Sequence, residues 1–198
     1  MRKAIGLVAA LALWAGGCLG QNPIQLRSTE TSGLSSGSAG SYFQLQSVNG
    51  VSKGPWFAGL GAGLDYYRFR SVPLFLSVTR DLAVGKRNWF VLYLDGGTNL
   101  PWYKRRAGSL VTPEGAASSV FHSGEYWSGG VGYLWKLGEH SKKAVLLSAG
   151  YTVKKLTEDQ TAQDPGCPLA GNCPGTPASS VVYEYLCRAY QLMIGFRF

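Results

Sequence analysis

The chain has 198 residues, enough for one barrel or sandwich and too few for two independent cores. Charged residues make up only 15% of it, against about 25% in an ordinary globular domain, and Gly supplies 27 positions, a composition unlike a surface built for water. The formal charge of +8 falls to +6 if Arg2 and Lys3 leave with residues 1–20; that is mildly basic, and with no basic stripe along any element a nucleic-acid partner is excluded.

Residues 1–20 place Arg2 and Lys3 before an apolar run from Ala4 to Ala15, then small residues, which is the plan of a secretory signal peptide. The run is too short to cross a bilayer as a helix, and no later stretch approaches the roughly twenty apolar residues a spanning helix needs. Cys18 raises a lipoprotein alternative. The preceding Ala15-Gly16-Gly17 lacks the large aliphatic residue of such a signal, which ranks ordinary cleavage, before Gln21, ahead of it.

From Ile24 onward the pattern has period two and no sustained helical period, so residues 21–198 read as one all-β domain. The first strand, near 24–35, is the weakest, because "IQLRSTETSGLS" has little apolar content on either face. "SYFQLQSV" then opposes Phe43 and Leu45 to Gln44 and Gln46. In "WFAGLGAGLDYY" Trp56, Ala58, Leu60, Ala62, Leu64 and Tyr66 share one face, and Phe57, three glycines, Asp65 and Tyr67 the other. "SVPLFLSVTRDL" sets Val72, Leu74, Leu76 and Val78 against Pro73, Phe75, Ser77, Thr79 and Asp81. "NWFVLYLDGGTNL" sets Phe90, Leu92 and Leu94 against Tyr93, Asp95 and Gly97.

After a long link, 99–124, the apolar sets are Trp127, Val131, Tyr133 and Trp135, then Val145, Leu147, Ala149, Tyr151 and Val153. A second long link, 156–180, contains Cys167 and Cys173 in "DPGCPLAGNCPGTP", whose short spacing in an exported chain predicts a local disulfide rather than a metal pair. Cys187 is expected as a small buried thiol. The closing strand puts Tyr190, Leu192, Ile194, Phe196 and Phe198 on one parity, and Ala189, Gln191, Met193, Gly195 and Arg197 on the other.

Eight strands are therefore expected, the even number being what a closed antiparallel membrane barrel uses. The second, fourth and sixth links, "NGVSKGP", "VGKRN" and "GEHSKK", are short, and both long links fall at the opposite end. Which face is apolar matters more. A water-soluble barrel would carry charge opposite its Leu and Val, whereas here that parity carries Gly, Gln, Ser and Thr, which suits a crowded interior. The row from Tyr190 to Phe198 has the length and the aromatic ends of a strand crossing a bilayer.

The signal segment, "WFAGLGAGLDYY" with "PLFL" after it, and the terminal "IGFRF" together resemble the small outer-membrane β-barrels of Gram-negative bacteria, of the OmpA/OmpX-like and "outer membrane protein β-barrel domain" kind. The resemblance covers nearly the whole mature chain and concerns architecture, not activity. It implies an eight-stranded antiparallel transmembrane barrel in the cell outer membrane, with short periplasmic turns and longer external loops. It also implies that Tyr190, Leu192, Ile194, Phe196 and Phe198 serve as the C-terminal signal read by the barrel-assembly machinery. The role expected is structural, surface-interacting or envelope-assembling, with neither a catalytic centre nor a cofactor.

An interior filled by side chains is expected, with inward glycines making room for Tyr67, Phe75 and Tyr93, and with Asp65, Asp95, Lys154 and Arg197 forming a polar network. "PWYKRRAG" offers Trp102, Tyr103, Lys104, Arg105 and Arg106 for contact with lipopolysaccharide phosphates, or simply as a solvated loop. Two other readings remain in view. One is a lipid A-modifying barrel enzyme, for which "FHSGEY" supplies His122, Ser123 and Glu125, although alternation puts His122 on the face opposite Ser123 and Glu125. The other is a soluble periplasmic barrel binding a small apolar ligand. His140, beside Lys142 and Lys143, reads as solvated.

Overall fold

In the computed structural model, residues 23–38, 40–102, 105–107, 117–138, 141, 143–162 and 179–198 are described. Ten strands follow one another: β1 (Gln25–Gly37), β2 (Gly40–Lys53), β3 (Trp56–Asp65), β4 (Ser71–Ala83), β5 (Asn88–Pro101), β6 (Arg105–Ala107), β7 (Ala117–His122), β8 (Gly124–Lys136), β9 (Ala144–Ala162) and β10 (Ser179–Arg197). Eight of them, all but β6 and β7, pair antiparallel with their neighbours, and β10 returns to pair with β1. The sheet is thus a closed eight-stranded antiparallel barrel, and where all eight strands overlap, closure removes the edges.

The register fixes the shape. Stepping across the paired residues from Phe198 leads through Ser28, Asn49, Leu60, Leu76, Gly96, Trp127 and Val153 to Arg188, ten residues up the starting strand. For eight strands such a stagger tilts them by about 40° and leaves an interior that side chains can fill.

β1 forms despite its weak pattern because its backbone is paired along both sides, to β10 and to β2. Its outward row of Ser28, Glu30 and Ser32 hides the hydrophobic alternation that marks the other strands. At one end, the turn end, the links 54–55, 84–87 and 137–143 join strands alongside both the start of β1 and Phe198. At the other, the loop end, lie the links 38–39, 66–70, 102–123 and 163–178. The first of these is as tight as any turn at the far end, and Gly40 takes φ 106° there, a conformation that a Cβ would strain.

The long link 99–124 differs from expectation. It contains β6 and β7, and β7 pairs with the part of β9 that rises beyond β8, from Thr157 to Ala162. The partners shift by one residue between His122↔Thr157 and Tyr126↔Lys154, a bulge at Ser123. β9 and β10 are each 19 residues long and remain paired throughout, so the barrel wall projects at the loop end. The β9 extension, from Thr157, is polar, and that of β10 sets Val181, Val182 and Tyr183 in an unbroken run, so neither shows hydrophobic alternation.

Period two sorts the side chains as expected. Phe57, Gln44, Asp65, Tyr67, Phe75, Ser77, Asp95, Tyr126, Lys154, Gln191, Met193 and Arg197 are buried inside, while Leu60, Leu76, Leu94, Val131, Leu147 and Ile194 stand exposed outside. Tyr67 packs on Gly37, Phe75 on Gly61, and the Tyr93 hydroxyl on Gly150, so the inward glycines do make room for large rings.

Candidate functional site

The exterior carries two rings of aromatics. Toward the turn end are Trp56, Phe90, Tyr133, Trp135, Phe196 and Phe198; toward the loop end are Phe43, Tyr66, Trp127, Tyr151 and Tyr190. Register joins members of each ring: Phe90 and Tyr133 have centroids 5.5 Å apart, and Tyr151 and Tyr190 5.3 Å. Between the rings the outward positions of β3, β4, β5, β8 and β10 are aliphatic or small, Leu60, Leu76, Leu92 and Leu192 among them.

β1 and β2 break that belt. Glu30 faces outward, where its Oε1 accepts hydrogen bonds from Ser28 Oγ at 3.1 Å and Ser47 Oγ at 2.8 Å, and Asn49 Nδ2 donates to Ser47 Oγ at 3.2 Å. With Ser32 these groups form a polar strip beside the wholly apolar row of β10. A carboxylate in apolar surroundings is costly unless hydrogen-bonded, and the hydroxyls of its own two strands supply those bonds.

The interior is layered. At the loop end Lys154 Nζ lies 3.0 Å from Asp65 Oδ2, both side chains only 1% exposed, and donates to Phe69 O at 3.1 Å and Ser71 Oγ at 3.2 Å. The Tyr67 amide donates to Asp65 Oδ1 at 2.7 Å, and its hydroxyl reaches across to Arg188 O at 3.1 Å, so Tyr67 lies over the ion pair. Beyond it Phe69 packs against Tyr185 and Phe121, and the Tyr185 hydroxyl donates to Glu158 Oε2 at 2.8 Å. Desolvation first, then the bond to Glu158 and its charge, push the Tyr185 phenol up to about 12. Buried Cys187 lies beneath, packed with Tyr67 and Ala189.

The middle layer is neutral apart from Asp95. Gln46 Nε2 donates to the Tyr126 hydroxyl at 2.9 Å, and Gln191 Nε2 to the Tyr93 hydroxyl at 3.1 Å and to Ser128 Oγ. The Phe75 and Tyr126 rings pack with centroids 5.4 Å apart. A cavity of about 50 Å³ remains between Asp95, Ser77, Tyr93, Phe57 and Met193, room for a few waters. A barrel filled this way binds its own walls together.

At the turn end, two arginines share one carboxylate. Arg27 Nη1 donates to Asp81 Oδ2 at 2.7 Å and Nη2 to Thr79 Oγ1 at 3.1 Å, with the guanidinium 4.4 Å from the Phe57 ring centroid. Arg197 Nη1 donates to both oxygens of Asp81 at 3.1 and 3.0 Å. Below them Trp89 packs on Val91, Leu134, Ala144 and Leu146, and Lys136 Nζ lies 4.9 Å from its ring centroid.

Of the four inward charges read from the sequence, Asp65 and Lys154 are therefore brought together, Arg197 pairs with Asp81, and Asp95 lies against the cavity, hydrogen-bonded to Ser77 and without an ion pair among the described residues. Arg27 and Trp89 went unrecognised as members of this cluster. A signal was present: in the described strand ends and links at the turn end, Arg27, Lys53, Arg80, Lys86, Arg87, Lys136, Lys143 and Arg197 are accompanied by one carboxylate, Asp81.

The other candidates are dispersed. His122 Nε2 lies 2.9 Å from Asp159 Oδ2 and Glu125 Oε2 3.2 Å from Lys155 Nζ, two separate exposed ion pairs on the loop-end wall. Trp102 is exposed and its amide donates to Arg70 O at 3.0 Å. Arg105 and Arg106 lie on β6, while Tyr103, Lys104, His140, Cys167, Cys173 and the segment 1–20 with Cys18 fall outside the described residues. No family model, no curated protein and no solved structure matches the chain.

Proposed function

We propose that this chain is an integral outer-membrane β-barrel protein, exported by its first twenty residues, with a structural, surface-interaction or envelope-assembly role and no catalytic centre. The observation that carries the reading is the exterior: an aliphatic belt bounded by two aromatic rings around a hydrogen-bonded polar interior. That is the inverse of a protein folded for water, and it is what a barrel spanning hydrocarbon requires, because closure pairs every strand and aromatics favour the two interfaces. The likeness to OmpA/OmpX-like barrels that this proposal carries is one of architecture, not of activity.

In this reading the turn end faces the periplasm and the loop end the exterior. The row of Tyr190, Leu192, Ile194, Phe196 and Phe198 is the surface offered to lipid and, during insertion, to the barrel-assembly machinery. Trp102 beside Arg70, with Arg105 and Arg106 on β6, forms the contact with lipopolysaccharide phosphates, and Cys167 with Cys173 closes a disulfide in the last external loop.

The test is cell fractionation with gel mobility. The mature protein is expected in the outer-membrane fraction, extracted by detergent and migrating differently when boiled and unboiled. Recovery of the mature chain as a soluble protein without detergent would overturn the proposal.

A further inference from the structure

The turn end of the barrel opens into a cavity of about 380 Å³ lined by Arg27, Asp81, Trp89, Lys136, Arg197 and Phe198 among others. Three cationic side chains face one carboxylate. The lining is therefore positive. Asp81 is already spent on both arginines, whose side chains are 13% and 6% exposed. Three further donors, Arg27 Nε, Arg197 Nε and Trp89 Nε1, are buried without an acceptor among the described residues.

Buried donors without acceptors are rare in folded proteins, and buried cations in excess of their counter-ions rarer still. An anionic acceptor with several oxygens answers both. The planar Arg fork suits phosphate geometry, and donors offered by three side chains of one cavity, each on a different strand, suit a tetrahedral group better than a planar carboxylate. We propose that this mouth is a binding site for a phosphate group, held by Arg27 and Arg197 with the Trp89 indole as third donor and Lys136 at the rim. The phosphate comes either from a free phosphorylated solute or from the headgroup of a phospholipid at the edge of the barrel. The site requires only the closed barrel, so its test is independent of the fractionation result.

The test is calorimetric titration of inorganic phosphate into the full chain in non-ionic detergent, with chloride holding ionic strength constant. Saturable one-site binding is expected. Arg197→Gln should weaken it by roughly tenfold or more, the loss of a charge-assisted bond, and Lys136→Gln, at the rim and harmless to folding, by a few-fold. Asp81→Asn gives the opposite sign, since it frees both guanidinium groups: phosphate should bind more tightly and should raise the melting temperature of this variant more than that of the wild type. A purely structural cluster predicts instead that Asp81→Asn is destabilised and not rescued by phosphate. No saturable binding by wild type and Asp81→Asn, or binding unaltered by Lys136→Gln together with Arg197→Gln, overturns the proposal. Transfer from the phosphate-free detergent into phosphatidylglycerol nanodiscs separates the sources: loss of free-phosphate binding assigns the site to the lipid headgroup, and its retention to a soluble phosphate.

Discussion

The outward rows of β10 and β1 lie side by side; they match where Leu34 pairs with Leu192, and differ in almost every property from Ile194↔Ser32 to Phe196↔Glu30. Along β10 stand Tyr190, Leu192, Ile194, Phe196 and Phe198, all exposed and apolar, with Ile194 at 54%. Along β1 stand Ser28, Glu30 and Ser32, less exposed, with the carboxylate bonded to hydroxyls on its own and the next strand. β10 therefore faces the belt with apolar area, whereas β1 is held by two backbone ladders and shields its polar groups by bonding them to one another. The barrel closes at this pairing. What the contrast teaches is that a strand belongs to the sheet through its backbone, and only its outward row reports which solvent it meets.

Four substitutions break or sharpen the contrast. Ile194→Arg, near the middle of the apolar row, should cost about 2–4 kcal/mol when unfolding is measured from liposomes; a change near zero would show that the row does not face hydrocarbon. Glu30→Leu should move β1 toward β10, raising stability by roughly 1–2 kcal/mol in the same assay, because acidic side chains on a lipid-facing wall cost less than Arg. A loss in that assay would show that the polar strip is itself covered by protein. Tyr190→Ala removes one ring of the Tyr151 pair and should cost about 0.5–1.5 kcal/mol beyond the lost area, readable as a drop in denaturation midpoint. Asn49→Val, at the edge of the strip, should gain only a few tenths of a kcal/mol, the worth of a β-branched residue on a paired face.

The fold was largely legible because alternation is a local property. Gln44, Tyr67, Phe75, Asp95 and Met193 sit inside, and Phe43, Leu60, Leu76 and Leu192 outside, as parity alone assigns them. The extensions of β9 and β10 and the short strands β6 and β7 were not legible, since residues such as Thr157, Asp159 and Gln160 project past the belt, where alternation between apolar and polar has no reason to persist. The turn-end cluster escaped for another reason. Arg27 and Arg197 lie 54 and 116 residues from Asp81, so nothing in their local sequence points to a shared partner.

By itself the sequence determined the class of structure, the eight strands of the barrel and the side of the wall on which their residues lie, because every second residue of a strand points the same way whatever its neighbours do. Tertiary structure decided which side chains meet. A closed sheet staggered by ten residues carries Lys154 to Asp65 and Arg197 to Asp81, and it sets Glu30 beside Phe196 on the outer wall. Parity gives a side chain its face, and register gives it its height on that face. Register is settled only when all eight strands satisfy their backbone bonds together.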